Sequence, residues 1–224
     1  TMQTEVRSDL GDSIKKAFEH ADTLLKELGI DPSEENLRAA RILGYNRMEI
    51  NDKNMSSVKE GYRTVSGIIS KMTPAAVLGL IREGSNPLKL SMEELEEKLA
   101  GLDASDTGEK YSEYLVRMQE RGDITAEESE SFVGIFRMLR QTQSLDGAAV
   151  GSLIQQGREI SFTNILSAIR SRRAGGMDVS IDDLSDGMKG GISHDITEQI
   201  ETAFAQARAE SEAESVREAA HTSS

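Results

Sequence analysis

Apolar residues along this chain recur at helical spacing, and the polar intervals between them carry helix-start and helix-stop signals. Leu10, Ile14, Phe18, Ala21, Leu24, Leu25 and Leu28 share one helical face, closed by Gly29 where a left-handed cap fits. In Asp31-Pro32-Ser33-Glu34 a capping carboxylate precedes a proline at the first helical position, which predicts a second helix stopping at Gly44. Asn51 is placed to cap a long third helix bearing Met55, Val58, Tyr62, Val65, Ile68, Ile69 and Met72. Thr73-Pro74 opens a short helix ending before Gly84, and the capping box Ser91-Met92-Glu93-Glu94 opens another that runs to Leu99.

The pattern then returns. A helix over 111–121 stops at Gly122, and the capping box Thr125-Ala126-Glu127-Glu128 opens one with Phe132, Ile135, Phe136 and Leu139. Asp146 is placed to cap a short helix ending at Gly157, and Ser161 one that continues to Arg173. The halves align in order. Met72-Thr73-Pro74-Ala75-Ala76-Val77 matches Leu145-Asp146-Gly147-Ala148-Ala149-Val150, and Leu80-Ile81-x-x-Gly84 matches Leu153-Ile154-x-x-Gly157. After a short gap, Leu90-Ser91-Met92 with Leu95 and Leu99 matches Ile160-Ser161-Phe162 with Ile165 and Ile169. The expected fold is therefore all-α, a bundle of two pseudo-symmetric four-helix repeats over 31–100 and 106–173. An N-terminal helix over 1–30 precedes them, and a polar joint at 101–108 links them. Residues 174–191 read as an extended segment, strand-like at 177–181, followed by a Gly-rich linker. Residues 192–224 read as an amphipathic helix with an acidic, partly disordered tail, its apolar stripe formed by Ile192, Ile196, Ile200 and Phe204.

Composition narrows the chemistry. The 224 residues include no Cys and no Trp, and 26 Lys and Arg against 39 Asp and Glu give a net charge of −13. Disulfides and thiolate zinc sites are excluded. No apolar run approaches membrane-helix length and no signal peptide opens the chain, so a cytoplasmic location without membrane attachment is expected. The charge repels phosphate backbones, and the densest basic cluster, Arg170, Arg172 and Arg173, sits at a predicted helix C-terminus where cations are favoured. No nucleic-acid partner is expected.

Catalytic patterns fail on inspection. His20, His194 and His221 lack a second ligand at metal spacing, and no glycine loop matches the phosphate-cradling pattern, so neither metal nor cofactor is expected. Ser13-x-x-Lys16 and Ser56-x-x-Lys59 lack the motifs that accompany Ser-x-x-Lys in penicillin-recognising enzymes. Asp178-x-Ser180-x-Asp182 begins like a calcium loop but has Asp183 where glycine is required and Lys189 where Glu is required. Arg121-Gly122-Asp123 coincides with a helix stop. The small-residue string Gly147-Ala148-Ala149-Val150-Gly151 predicts close helix packing, with Ala75, Ala76, Val77 and Gly79 as its counterpart.

Three strings, Asn36 to Ile50, Met72-Thr73-Pro74-Ala75 with Ile81-Arg82-Glu83-Gly84, and Asp146 to Gly151, resemble a bacterial family known as a domain of unknown function. The resemblance spans roughly 30–185. It implies a domain of longer proteins, some encoded beside flagellar genes and ending in a hook-length-control-like region, and it brings no catalytic or binding residues with it. The absent initiator Met and the polar tail are what an excised fragment of such a protein would show.

The reading that follows is a non-enzymatic protein-interaction or scaffold module with no cofactor and a protein partner or a second copy of itself. Ile192, Ile196, Ile200 and Phe204 are the candidate partner-binding residues. Two alternatives stay open: an enzyme using Glu83, Glu93 and Glu94 in a cleft between repeats, and a module that self-associates through the C-terminal helix.

Overall fold

The computed structural model describes residues 21–102, 108–143, 147–174, 200–206, 216–217 and 220, and contains no strand among them. In chain order the helices are α1 (Ala21–Glu27), α2 (Glu34–Tyr45), α3 (Asp52–Lys71), α4 (Pro74–Glu83), a 3-10 turn at Pro87–Lys89, α5 (Met92–Ala100), α6 (Tyr111–Arg121), α7 (Ala126–Thr142), α8 (Ala148–Gln155) and α9 (Phe162–Ala174). Residues 200–206 form a further helix, called α10 below. The fold is an all-α helical bundle.

Most boundaries fall where cap chemistry puts them. Thr73 accepts from the Ala76 amide with Pro74 behind it, and Gly84 closes α4 at φ 73°. Ser91 and Glu94 exchange both bonds of a capping box, as do Thr125 and Glu128. Asn51 caps α3 through the Asn54 amide. Gly122 closes α6 at φ 68°. Two expectations need correction. The cap of α2 is the Ser33 hydroxyl, which accepts from Asn36 N, so the helix begins at Glu34 and the Asp31 carboxylate is not its cap. Gly44 lies inside the last turn, because Asn46 ends α2 and Arg47 takes the left-handed conformation at φ 52°. Asp146, the 177–181 segment, the 182–191 linker, Ile192, Ile196 and all three histidines lie outside the described residues.

The chain divides into two compact units, Thr1–Val65 with Gln143–Ile160, and Ser66–Thr142 with Ser161–Ser224. Neither coincides with 31–100 or 106–173. The first unit takes α2 and most of α3 from the earlier half and α8 from the later half. The second takes α6, α7 and α9 from the later half and α4 and α5 from the earlier one.

In the first unit, Leu25, Ala39, Ala40, Ile42, Leu43, Met55 and Val58 form the buried cluster, with Tyr62 and Ile154 packed against it. The apolar face predicted for α1 is narrower than expected: Leu25 is buried, but Leu24 and Leu28 are exposed. Small residues let α8 approach closely. A Cβ on Gly151 would stand 2.5 Å from Ile42 Cγ2 and 2.3 Å from Asn46 Nδ2, and one on Gly147 would stand 2.8 Å from Tyr62 Cδ2. That proximity lets the buried Asn46 amide donate to Ile42 O at 2.8 Å and to Ala148 O at 3.0 Å, while Gln155 Nε2 donates to Asn46 O at 3.2 Å. A buried amide left unbonded would be costly, so these bonds fix the register of α8.

In the second unit α4 packs on α7, and α9 packs on α7 and on the 3-10 turn. Ala76, Val77, Leu78, Leu80 and Ile81 are all buried. Rings fill much of this core: Tyr111 lies 5.6 Å from Phe132 and 5.1 Å from Phe136, and Tyr114 stacks on Phe132 at 5.8 Å. The Tyr111 hydroxyl donates to Met72 O, and Thr163 Oγ1 donates to Leu88 O at 2.5 Å. Burial pushes the Tyr111 phenol up to about 12 and raises that of Tyr114, because the phenolate would lose its water.

Candidate functional site

The sequence singled out the C-terminal stripe as a binding face, and the structure turns the described part of it onto the chain's own second unit. Ile200, Ala203 and Phe204 are buried, whereas Glu201, Thr202, Ala205 and Gln206 are exposed. The spacing i, i+3, i+4 puts the three buried residues on one side of α10. The receiving helix is α7, at Gly134: a Cβ there would meet Ile200 Cγ1 at 2.7 Å, so the isoleucine rests against bare backbone. Of the four candidate residues, Ile200 and Phe204 are buried within the chain itself, and Ile192 and Ile196 lie outside the described residues. Ile200 packs there because α7 has no side chain at that point.

Phe132 on α7 meets Tyr111 and Tyr114. A stripe of Ser131, Gly134, Met138 and Gln141, all buried, runs directly beside the stripe of Phe132, Ile135 and Leu139. The Ser131 hydroxyl is 0% exposed at the residue level and has no hydrogen-bond partner. Sequence reasoning passed over this stripe; its only signal was the small pair Ser131 and Gly134, three residues apart.

The first unit has a shallow depression of about 10 Å³ between α2 and α3, lined by Glu35, Arg38, Ala39, Ile42, Val58, Lys59 and Tyr62. The Arg38 guanidinium lies 4.6 Å from the Tyr62 ring centre, and Lys59 donates to Asn36 Oδ1 at 3.0 Å. Glu35 pairs with Arg63 at 2.5 Å, and that pair is largely exposed. These groups brace two helices, with the aromatic ring covered by a cation.

Elsewhere, charged groups hold helix ends. Arg117 grips Glu109 with two bonds, at 2.9 and 2.8 Å, and lies over the Tyr114 ring. The hydrogen bond from Arg117 is the main reason the Glu109 carboxyl is held below its ordinary range; the reciprocal bond raises Arg117. Arg82 donates to Glu128 Oε2 at 2.8 Å and to Asp123 O at 2.6 Å, so Asp123 of the Arg-Gly-Asp string serves a helix junction through its backbone. At Glu128 burial works most strongly against ionisation, but the hydrogen bonds from Arg82 and Thr125 outweigh it and the carboxyl is lowered.

The three glutamates considered for catalysis are exposed, and Glu94 is engaged in its capping box through the Ser91 amide. Of the Ser-x-x-Lys pair at 56 and 59, Ser56 is exposed and Lys59 reaches α2. Among the described residues no group of three or more His, Asp or Glu could hold a metal ion, and no single helix is long and apolar enough to cross a membrane.

The described residues form an all-helical fold in which many polar side chains serve caps and helix junctions. The chain belongs to a family of unknown function, DUF6240, which it matches over residues 1–166. Comparison with curated proteins and with solved structures gives no match. The helix at 200–206 lies beyond the matched stretch.

Proposed function

We propose that this chain is a non-enzymatic protein-interaction module, a helical scaffold built by duplication of a four-helix unit and working in the cytoplasm. One observation carries the reading: among the described residues, many of the polar groups that could do chemistry are committed to helix ends and helix pairs. Ser33, Thr73, Ser91, Thr125 and Ser161 hold amides at N-termini. Asn46 holds α8, and the Arg82 and Arg117 guanidiniums each hold a carboxylate. A site for chemistry needs such groups aimed at a common point with spare bonding capacity, whereas a scaffold uses them internally and recognises through its surface.

The duplication is supported by matched helix ends. Ser85 N donates to Leu80 O and Arg158 N to Leu153 O, both at 2.9 Å, with Gly84 and Gly157 left-handed between the donor and the acceptor. Resemblance to domains encoded beside flagellar genes makes a hook-assembly protein the partner to look for. The test is affinity capture with the tagged full chain from its native host, followed by mass spectrometry. A stoichiometric protein partner is expected. Recovery of the chain alone at several salt concentrations, from growing and flagellated cells, retires the reading.

A further inference from the structure

Helix α3 runs from one compact unit into the other. The chain changes unit at 65/66, 142/143 and 160/161. The last two points fall at helix ends, after Thr142 of α7 and just before Ser161, whose side chain caps α9. The first falls inside α3, between Val65 and Ser66, with Lys71 the last helical residue. The residues at that point weaken a helix. Gly67 disfavours a helix interior relative to alanine, and adjoining Gly and Ser are a common cause of helix bending. Ser70 Oγ donates to Gly67 O at 2.7 Å and Thr64 Oγ1 donates to Glu60 O at 3.0 Å, back-bonds that compete with the helical ladder.

Gly67 also lacks the reasons that account for glycine at other positions. At Gly61 an added Cβ would stand 3.0 Å from Val150 Cγ1 and from Ile160 Cδ1, and at Gly151 it would stand 2.5 Å from Ile42 Cγ2. At Gly67, among the described residues, nothing outside its own stretch of helix lies within 4 Å of such a Cβ. Its φ is not positive either. Required neither by space nor by backbone conformation, this glycine has freedom of the backbone as its remaining effect. Both arms of the helix are anchored, through Met55 and Val58 in the core of the first unit and through the buried Ile68 beyond the crossing.

We propose that Ser66 and Gly67 form a hinge at which α3 bends and carries the second unit relative to the first. The other two crossings already lie at a turn and at an N-cap, so α3 is the helix that must give, and a hinge needs only a few residues to absorb the change. The hinge goes beyond the interaction-module reading and is independent of it.

The chain contains no cysteine, so pairs of spin labels can be placed on the full chain at introduced thiols alone. Lys53→Cys with Glu97→Cys spans the hinge, and Lys53→Cys with Gln156→Cys stays within the first unit; the three positions are exposed. By pulsed double-resonance EPR, the spanning pair is expected to give a distance distribution about twice as broad as the reference pair. Adding Ser66→Ala and Gly67→Ala is expected to narrow it to the reference width, because alanine stiffens the helix and its methyl at 67 enters open space. Equal widths for the two pairs, or a width that the alanines leave unchanged, overturns the hinge. Hydrogen exchange on the unlabelled, unmodified chain covers the case of a perturbed variant. Amides at 68–71 are expected to exchange about tenfold faster than those at 139–142, the last turn of α7, and equal protection overturns the hinge as well. Host capture of a partner bears on the module reading alone.

Discussion

The two compact units fill their interiors differently. The first holds α1, α2, most of α3 and α8, and the second holds α4 to α7 and α9. In the first unit the incoming helix carries Gly151, which lets its backbone reach Ile42 and Asn46, and the closure is completed by a buried amide. In the second, α4 carries the buried, bulky Leu78, and Tyr111, Tyr114, Phe132 and Phe136 form a cluster of rings. Close backbone approach sealed by hydrogen bonds marks the first unit, and aromatic packing marks the second.

If α8 and α4 pack alike, Ala149→Asp in the first unit and Ala76→Asp in the second should cost alike. Both alanines are buried, at 4% and 1% exposure, and an unpaired carboxylate there should cost about 4 kcal/mol. Urea melts in which one variant behaves as wild type would break the equivalence.

The packing of glycine should separate the units. Gly151→Val collides with Ile42 and Asn46, whereas the nearest atoms to a side chain at Gly134 belong to Ile200 of the two-turn segment at 200–206. Expected losses are about 3 kcal/mol for the first and about 1 kcal/mol for the second. Equal losses by thermal melting would mean that α10 is held as firmly as α8.

Alkali should weaken the second unit. Tyr111 titrates near 12 in the folded chain and near 10 when exposed, so the folded form holds its proton more tightly. That stability is fully present below pH 10 and is lost as pH rises toward 12, amounting to about 2–3 kcal/mol. Tyr111→Phe should flatten this part of the stability profile, and an unchanged slope would show that the phenol is not its source.

The smallest effect is expected at the α2–α3 surface. Arg63→Ala breaks an exposed pair with Glu35 and should change stability by about 0.5 kcal/mol or less, decreasing further in high salt.

Helix ends were legible in the sequence because capping is local: Thr73-Pro74, Ser91 with Glu94, and Gly122 each act within one turn. The burial of Ala76 and Ala149 was legible from small-residue strings at helical spacing. The pairing of α8 with α2 was not, since Asn46 and Ala148 are 102 residues apart and a lone Asn near a helix end reads as a cap. Nor was the seat of Ile200, because a glycine inside a helix pattern signals close approach without saying what approaches. Ser33 displaced Asp31 as the cap for a related reason: both are good acceptors, and backbone geometry chooses between them.

The pairing of α2 with α8 bears on biosynthesis. Helices α2 and α3 are made well before α8, and the bond from Asn46 to Ala148 spans 102 residues. Until α8 is made, aliphatic surface at Ile42, Leu43 and Val58 that the first unit buries lies open to solvent. A nascent chain stalled before residue 148 should be a client for holding chaperones.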